Sequence, residues 1–175
     1  MKQKRSVMTR KGDKGKTRLL SGKEVNKDHL ALEVLGDIDE LISFLGLARN
    51  YAKKRKIKKY IFGIQQALIA LSADIAAQET KTTSLKTYLD EQMLTVLDQI
   101  GRDMESRISP IKSFIIPGDS LASSYLDCAR AIARRCERRA VTLLRGKQTQ
   151  RTLPIAWLNR LSDVLYVMAR YEEQK

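Results

Sequence analysis

Residues 34–45 read Val-Leu-Gly-Asp-Ile-Asp-Glu-Leu-Ile-Ser-Phe-Leu. Apolar side chains recur there three and four positions apart, at Val34, Leu35, Ile38, Leu41, Ile42 and Leu45. This spacing places them on one face of an α-helix. We therefore predict a helix that begins near residue 29 and buries this face.

The same period returns in four more segments. It predicts helices with apolar faces around residues 57–75, 85–107, 120–145 and 153–173. Asp119 or Ser120 would cap the fourth helix, and Pro154 lies in the first turn of the fifth. Residues 1–28 are polar, basic and without a regular period, and no segment has a convincing strand pattern. The prediction is one domain (1–175), an all-α, five-helix, ferritin-like bundle (29–175) behind an irregular N-terminal loop segment (1–28).

Positive charge dominates the composition of the chain. Its 175 residues include 33 Lys and Arg against 20 Asp and Glu, which gives a formal net charge of +13. The basic residues are concentrated at 1–29, 53–59 and 130–151. This excess indicates an anionic partner: nucleic acid, a phosphorylated ligand or a membrane surface. The single histidine, His29, excludes zinc sites and mechanisms that need two histidines.

Cysteine usage and the N-terminus both favour the cytoplasm. Cys128 and Cys136 fall on one predicted helix about 12 Å apart, which is too far for a disulfide. Free thiols are typical of a reducing compartment. The first six residues have charge but no apolar segment behind them, and no apolar stretch reaches the roughly 18–20 residues of a spanning helix. We predict a cytoplasmic protein that does not enter a membrane.

The fourth predicted helix carries a cluster of arginines. Arg130, Arg134, Glu137 and Arg138 share one of its faces, and the alanines between them would let a ligand come close. A guanidinium group donates two parallel hydrogen bonds to phosphate oxygens and stays charged, so this face suits a phosphorylated ligand. The alternative is a solvated basic face that pairs with acids of neighbouring helices.

The N-terminal segment contains a second candidate, which reads Thr9-Arg10-Lys11-Gly12-Asp13-Lys14-Gly15-Lys16-Thr17-Arg18. Closely spaced glycines allow backbone amides to turn toward an anion. It is not a Walker A loop, because both the GxxxxGK[ST] spacing and a preceding strand are missing. A flexible basic arm is the alternative.

Two weaker candidates place polar side chains among apolar ones. Asp37, Asp39 and Glu40 are surface charges unless one of them turns inward, and an inward carboxylate requires an arginine partner. In the last helix, Asn159 is placed to hydrogen-bond a ligand or a helix end.

Taken in order along the chain, these segments closely resemble the PduO-type ATP:cob(I)alamin adenosyltransferases. The matching motifs are Thr9 to Thr17, Lys27-Asp28, Gly36 to Gly46, Phe114 to Ser120, Arg130 to Arg138 and Leu158 to Asp163. Six motifs in the family's order are far more specific than any one of them, and they span nearly the whole chain.

The resemblance implies a homotrimer with active sites between subunits, in which ATP and Mg²⁺ meet reduced cobalamin. The 5′-deoxyadenosyl group would pass from ATP to cobalt, with release of triphosphate. The residues that would hold ATP are Thr9, Arg10, Lys11, Gly12, Thr17, Arg18, Lys27, Arg134, Arg135, Glu137, Arg138 and Asn159.

The resemblance also assigns particular roles. Asp39 and Arg130 would form an ion pair between subunits, and Phe114 would shape the lower face of the corrinoid site. Arg134 would be the most important charge in the transition state. A flavoprotein reductase and an adenosylcobalamin-dependent enzyme are the further partners implied.

Several positions depart from the family pattern. Asp37 stands where the family has threonine, Leu35 replaces a common aromatic residue, and Asp119 replaces a frequent glycine. Arg18 is basic where small or hydroxyl residues are usual. The basic run 53–59 has no family role. It is either a solvated turn or a docking surface for an acidic protein.

Two other function classes remain. A nucleic-acid-binding helical protein would explain the charge, but the arginines alternate with alanines and no nucleic-acid-binding motif is recognised. A non-catalytic bundle that binds ATP or cobalamin would also keep Lys27, Arg134 and Asn159. The formation of adenosylcobalamin would separate the three.

Overall fold

The structure is a computed structural model that describes residues 8, 10, 12–19, 22–78, 88–146 and 152–174. These residues form the helices α1 (Leu30–Tyr51), α2 (Arg55–Gln78), α3 (Glu91–Glu105), α4 (Leu121–Gly146) and α5 (Leu153–Glu173). They also form one antiparallel pair of strands, β1 (Lys16–Arg18) and β2 (Glu24–Asn26). The predicted five-helix, all-α architecture is confirmed.

The core is built around α4, which packs along both α1 and α5. The predicted inner positions Val34, Ile38, Leu41 and Leu45 of α1 are all fully buried. The α4 surface that meets the core includes Ala129, Ala133 and Ala140, which are also fully buried. Small side chains bring helix backbones together, so these alanines serve helix packing. The prediction that the alanines between the arginines let a ligand come close is therefore wrong for Ala133, whereas Ala131 is exposed.

Polar side chains fix where three of the helices begin. The lone histidine, His29, caps α1, because its Nδ1 accepts from the Ala31 N–H at 3.2 Å. Asp90 caps α3 by accepting from the Met93 N–H at 2.8 Å. At α4 it is Ser120, rather than Asp119, whose Oγ accepts from the Ser123 N–H at 3.1 Å.

The third helix is shorter than predicted. It begins at Glu91 because Asp90 has extended backbone and its side chain caps the first turn of the helix. Residues 88–90 are not helical. The first predicted residues of that helix, 85–87, lie outside the described residues.

The N-terminal segment also differs from the prediction of an irregular loop, since it contains the β1–β2 pair. Thr17 lies opposite Val25, and Val25 is buried together with Leu19. An ion pair of 3.2 Å between Lys16 and Glu24 joins the exposed side of the two strands. Strands of three residues are too short to show an alternating pattern, which explains why the sequence does not reveal them.

The helix α2 corrects one further expectation. By length and composition alone, Arg55–Ala77 is long and apolar enough to cross a membrane, and 44% of the tested window is buried. Its inner residues Ile57, Ile61 and Ile64 belong to the bundle core, and a core helix of a soluble protein passes the same test. The basic run 53–59 covers the α1–α2 connection and continues into α2, so it is a turn only in part.

Candidate active site

The glycine-rich N-terminal segment brings Gly12 against Lys27. A Cβ at Gly12 would lie 3.0 Å from Lys27 Nζ and 3.1 Å from its Cε. Only glycine therefore lets the Lys27 side chain lie this close to the backbone at position 12. The Lys27 N–H donates to the Gly15 carbonyl at 2.8 Å, and Gly15 has a φ of +74°, where glycine is favoured. Two residues predicted to hold ATP, Gly12 and Lys27, are therefore adjacent.

The other predicted ligands of this segment lie on its surface. Arg10 is exposed and has a φ of 55°, which is uncommon for a residue with a side chain. Thr17 is half-buried on β1, and Arg18 beside it is exposed. Thr9 and Lys11 lie outside the described residues.

The solvent face of α4 holds a second group of predicted ligands. Arg134 and Arg138 are exposed one turn apart, and neither forms an ion pair within the described part of the chain. Between them, Glu137 accepts a hydrogen bond of 3.3 Å from Asn159 Nδ2 of α5. The structure thus brings Arg134, Glu137, Arg138 and Asn159 to one surface across two helices.

A cluster of charged side chains joins α1 to α4 on another face. We call it the Asp37 cluster, and it comprises Glu33, Asp37, Glu40, Arg135 and Arg139. One oxygen of Asp37, Oδ1, accepts from Arg135 Nε at 2.8 Å and from Arg139 at 2.7 Å. Arg139 also reaches Glu33 at 3.0 Å, and Arg135 contacts Glu40.

Asp37 is only 3% exposed, so it is the inward carboxylate for which the sequence requires an arginine. The hydrogen bond that Arg135 donates to Asp37 raises the pKa of Arg135, and the charges of Asp37 and Glu40 act in the same direction. The guanidinium of Arg135 is therefore held against α1, whereas Arg134 beside it points to solvent. The sequence pattern treats both as ATP ligands and does not separate them.

A second buried ion pair supports Arg130. We call it the Asp127 link: Asp127 accepts from Arg130 Nε at 3.2 Å and from Arg170 of α5 at 2.6 Å. Asp127 and Arg170 are each only 5% exposed, while Arg130 is half-buried. Sequence reasoning missed both buried members. The one available signal was the position of Asp127 one helical turn before Arg130.

The exposed carboxylate of Asp39 lies on α1. The sequence predicts that it pairs with Arg130 of a second subunit, and this pair stays a prediction.

The α3–α4 connection displays apolar side chains to solvent. Phe114 is 94% exposed, and Ile116 and Leu121 are also largely exposed. Neighbouring exposed apolar residues of this kind mark a surface that binds a ligand or another protein. This is where the sequence predicts the corrinoid.

The cysteines do not take part in this arrangement. Both are free, as predicted; Cys128 is exposed and Cys136 is buried. Burial raises the pKa of the Cys136 thiol to about 12, so it stays protonated and unreactive. Among the described residues, no group of three His, Cys, Asp or Glu side chains is placed to hold a metal ion.

Comparisons with known proteins give one consistent family. The family model for cobalamin adenosyltransferase matches residues 7–172. The chain is 38% identical over 168 residues to a corrinoid adenosyltransferase from Citrobacter freundii, which covers 95% of this chain and 94% of that relative. It is also 36% identical over 168 residues to a corrinoid adenosyltransferase PduO of the same organism, and the match covers 50% of that longer relative.

A solved structure is similar over nearly the same length. It is a variant of the PduO-type ATP:corrinoid adenosyltransferase from Lactobacillus reuteri, complexed with cobalamin and ATP. The TM-score is 0.88 at 28% sequence identity, and the match covers 96% of this chain and 91% of that chain.

Proposed function

The chain belongs to the cobalamin adenosyltransferase family, and we propose that it transfers the 5′-deoxyadenosyl group of ATP to the cobalt of cob(I)alamin. The cobalt electron pair forms the bond to C5′ of the ribose. The C5′–O bond breaks, and its electrons leave with triphosphate. The products are adenosylcobalamin and triphosphate.

The observation that carries this proposal is the exposed group on α4 and α5. Arg134 and Arg138 present two guanidinium groups that no carboxylate of the described residues neutralises, and the hydrogen bond between Asn159 and Glu137 fixes the surface beside them. Triphosphate gains negative charge as it leaves, and pre-positioned guanidinium groups stabilise that charge. Since cob(I)alamin is itself a strong nucleophile, no side chain has to act as a base.

The N-terminal segment supplies the other half of the proposed ATP site. Gly12 and Lys27 lie together, and Gly15 turns the backbone that carries them. Thr17, Arg18 and Arg10 would add contacts. We propose that this segment and the α4 surface come from different subunits of a homotrimer and that they enclose ATP between them.

Mg²⁺ fits this site only as a companion of the phosphates. Glu137 is the one carboxylate among the proposed ATP ligands, and the described residues contain no three-ligand metal cluster. Protein-bound Mg²⁺ commonly has one or two carboxylates and several substrate phosphate oxygens. We propose that it enters with ATP, where it would offset phosphate charge.

Three further residues have proposed roles, two of them at the subunit boundary. Asp39 and Arg130 would pair between chains, and the Asp127 link holds the Arg130 side chain in place for this. Phe114 would contact the lower face of the corrin ring, because its exposed aromatic side chain suits a flat apolar surface.

The cellular setting follows from the same chemistry. We propose a cytoplasmic enzyme that receives cob(I)alamin from a flavoprotein reductase. An adenosylcobalamin-dependent enzyme would take up the product. The exposed lysines of the basic run 53–59 are one surface to which an acidic protein would bind.

The decisive experiment mixes the protein with ATP, Mg²⁺ and chemically reduced cob(I)alamin under anaerobic conditions. We expect the visible spectrum of adenosylcobalamin to appear, with one triphosphate released for each cobalt–carbon bond. Binding of ATP without this product would favour the non-catalytic bundle. Salt-sensitive binding of duplex DNA without this product would favour the nucleic-acid-binding alternative.

The proposed assembly has its own test. Light scattering should report a trimer for the wild-type protein, and Asp39→Ala should reduce assembly or ATP affinity. A monomeric protein that is fully active would contradict the shared site.

A further inference from the structure

The outer face of α2 carries a stripe of exposed side chains. Consecutive residues of an α-helix are about 100° apart, so residues three, four or seven positions apart share a face. By this spacing the exposed residues of one face form what we call the α2 stripe: Arg55, Lys58, Lys59, Phe62, Gln66 and Ile69. It lies opposite the core residues Ile57, Ile61 and Ile64 of the same helix. No residue proposed to hold ATP, the corrinoid or a neighbouring subunit lies on α2.

The positive charges at the start of the stripe have no internal partner. Two other lysines of the basic run 53–59 are used inside the molecule: Lys54 donates to the Tyr171 carbonyl at 2.8 Å, and Lys56 pairs with Asp103 at 2.7 Å. None of the three basic residues of the stripe forms an ion pair with a described residue, and the first turn of α2 contains no acidic residue. Like charges this close on a helix repel one another, so carboxylates that bind from outside would relieve the repulsion.

Apolar side chains follow these charges along the same stripe. Phe62 is 52% exposed and Ile69 is 61% exposed. They are seven positions apart, and this is the spacing at which one helix receives the apolar side chains of another. The Arg49 guanidinium of α1 lies 5.2 Å from the centre of the Phe62 ring. Positive charge therefore lies on two sides of this ring, from α1 and from the preceding turn of α2.

We propose that the α2 stripe binds an acidic amphipathic helix of another protein. Carboxylates of that helix contact Arg55, Lys58 and Lys59, and its apolar side chains pack on Phe62 and Ile69. At a rise of 1.5 Å per residue the stripe is about 21 Å long, so a partner helix of about four turns covers it.

This proposal extends the exposed lysines assigned above to an acidic protein, because it adds an apolar contact and a helical partner. It does not depend on adenosyl transfer, so the failure of one proposal leaves the other standing. A membrane surface fits the stripe less well. Gln66 separates the two apolar side chains, whereas a helix that enters a bilayer surface requires a continuous apolar face.

The first experiment titrates the protein with two fluorescein-labelled peptides of about 18 residues and follows fluorescence anisotropy. Both are helix-forming, rich in alanine and glutamine, and identical in composition. In the matched peptide, glutamates at one end share a face with two leucines seven positions apart; in the control peptide the leucines are on the opposite face. We expect the matched peptide to bind in a saturable way and about tenfold more tightly than the control, because only its face meets both parts of the stripe. Equal affinities, or no saturable binding of the matched peptide, would overturn the proposal.

A charge reversal shows whether the peptide binds on α2. Lys58→Glu should weaken binding of the matched peptide about tenfold or more, because attraction becomes repulsion. Arg102→Glu makes the same change of charge at an exposed residue of α3 and should stay within about twofold of wild type. Adenosyl transfer with chemically reduced cob(I)alamin should be normal in both variants. Wild-type affinity in Lys58→Glu, or an equal loss in Arg102→Glu, would contradict binding at the stripe.

The apolar part of the stripe has a separate test. Phe62→Ala should weaken binding of the matched peptide about fivefold or more, because an aromatic contact is lost. Val96→Ala removes an apolar side chain of α3 that is 46% exposed and should bind like wild type. An unchanged affinity in Phe62→Ala would reduce the contact to charge alone and overturn the proposed helix.

Sedimentation with vesicles of phosphatidylglycerol and phosphatidylcholine tests the membrane alternative. We expect any binding to these vesicles to be abolished by salt and to be the same in wild type and Phe62→Ala, because it rests on charge alone. Vesicle binding that Phe62→Ala abolishes would show that the ring enters the bilayer, and it would overturn the assignment of the stripe to a protein helix.

Discussion

Arginines on two faces of α4 have different environments. Arg134 and Arg138 point to solvent, whereas Arg135 and Arg139 end on the buried carboxylate of Asp37. Consecutive helix residues are about 100° apart, so each adjacent pair of arginines is divided between the two faces. The environment of an arginine, rather than its presence, thus separates a group that holds two helices together from one that is free to bind phosphate.

The largest effect is expected when a buried arginine is replaced, and Arg170 of the Asp127 link is the most buried of them. Arg170→Met should lower the free energy of unfolding by about 3 kcal/mol, because it leaves Asp127 buried without its main partner. Urea denaturation measures this. Arg134→Met is the matched control and should stay within about 0.5 kcal/mol of wild type, since its side chain is exposed. A loss below about 1 kcal/mol in Arg170→Met would mean that burial does not distinguish these arginines.

The exposed face should show the opposite behaviour. Arg134→Ala should reduce turnover at saturating substrates by about 100-fold or more, because triphosphate loses a charge that stabilises its departure. Its stability should not change. Arg145→Ala, an exposed arginine near the end of the same helix, is the control and should retain activity. Near-normal turnover in Arg134→Ala would remove this residue from the transition state.

The two carboxylates of α1 sharpen the comparison further. Asp37→Ala should cost about 2 kcal/mol of unfolding free energy, because Arg135 and Arg139 both lose a charged hydrogen-bond partner. Asp39→Ala, two residues away and exposed, should cost less than about 0.5 kcal/mol in the folded subunit. Thermal unfolding of both variants, at a protein concentration low enough to keep the subunits apart, gives the difference. Equal destabilisation would show that the Asp37 cluster does not brace α1 against α4.

The smallest effect is expected where an ion-pair cluster is partly exposed. The hydrogen bond from Lys56 lowers the pKa of Asp103 to about 2, and those from Tyr60 and Arg107 act in the same direction, while desolvation opposes them. A lowered folded-state pKa means stability that is present above about pH 4 and is lost as the pH falls toward 2. Solvent screening keeps this below about 1 kcal/mol.

The check is the stability difference between wild type and Asp103→Asn across this range. The difference should be present at pH 5 and should shrink toward pH 2. A difference that does not change with pH would contradict the ionic origin of the effect.

The sequence predicts most of this architecture because its helices carry long apolar faces. The inner positions of α1 and α2 are those that the spacing predicts, and Ser120 is one of the two caps proposed for α4. The β1–β2 pair and the start of α3 were not predicted. A strand of three residues has no readable period. The apolar spacing of α3 extends back through Leu89 in the sequence, but the Asp90 cap starts the helix at Glu91.

Less of the candidate site than of the fold can be predicted from the sequence. Motif order alone groups Arg134, Arg135 and Arg138, but only the structure separates the arginine bound by Asp37 from the two that form no ion pair with a described residue. The partners of buried charges come from distant segments: Arg135 lies 98 positions from Asp37, and Arg170 lies 43 from Asp127. No local pattern predicts such pairs.

The Asp127 link has a consequence for association. A free arginine on a surface samples many rotamers, and a partner that binds it must restrict them at a cost in conformational entropy. Asp127 already restricts Arg130, and Arg170 anchors Asp127 from inside the bundle. In the proposed homotrimer, a neighbouring subunit would therefore meet a guanidinium group that is ordered before contact, and less of the binding energy would be lost on immobilising it.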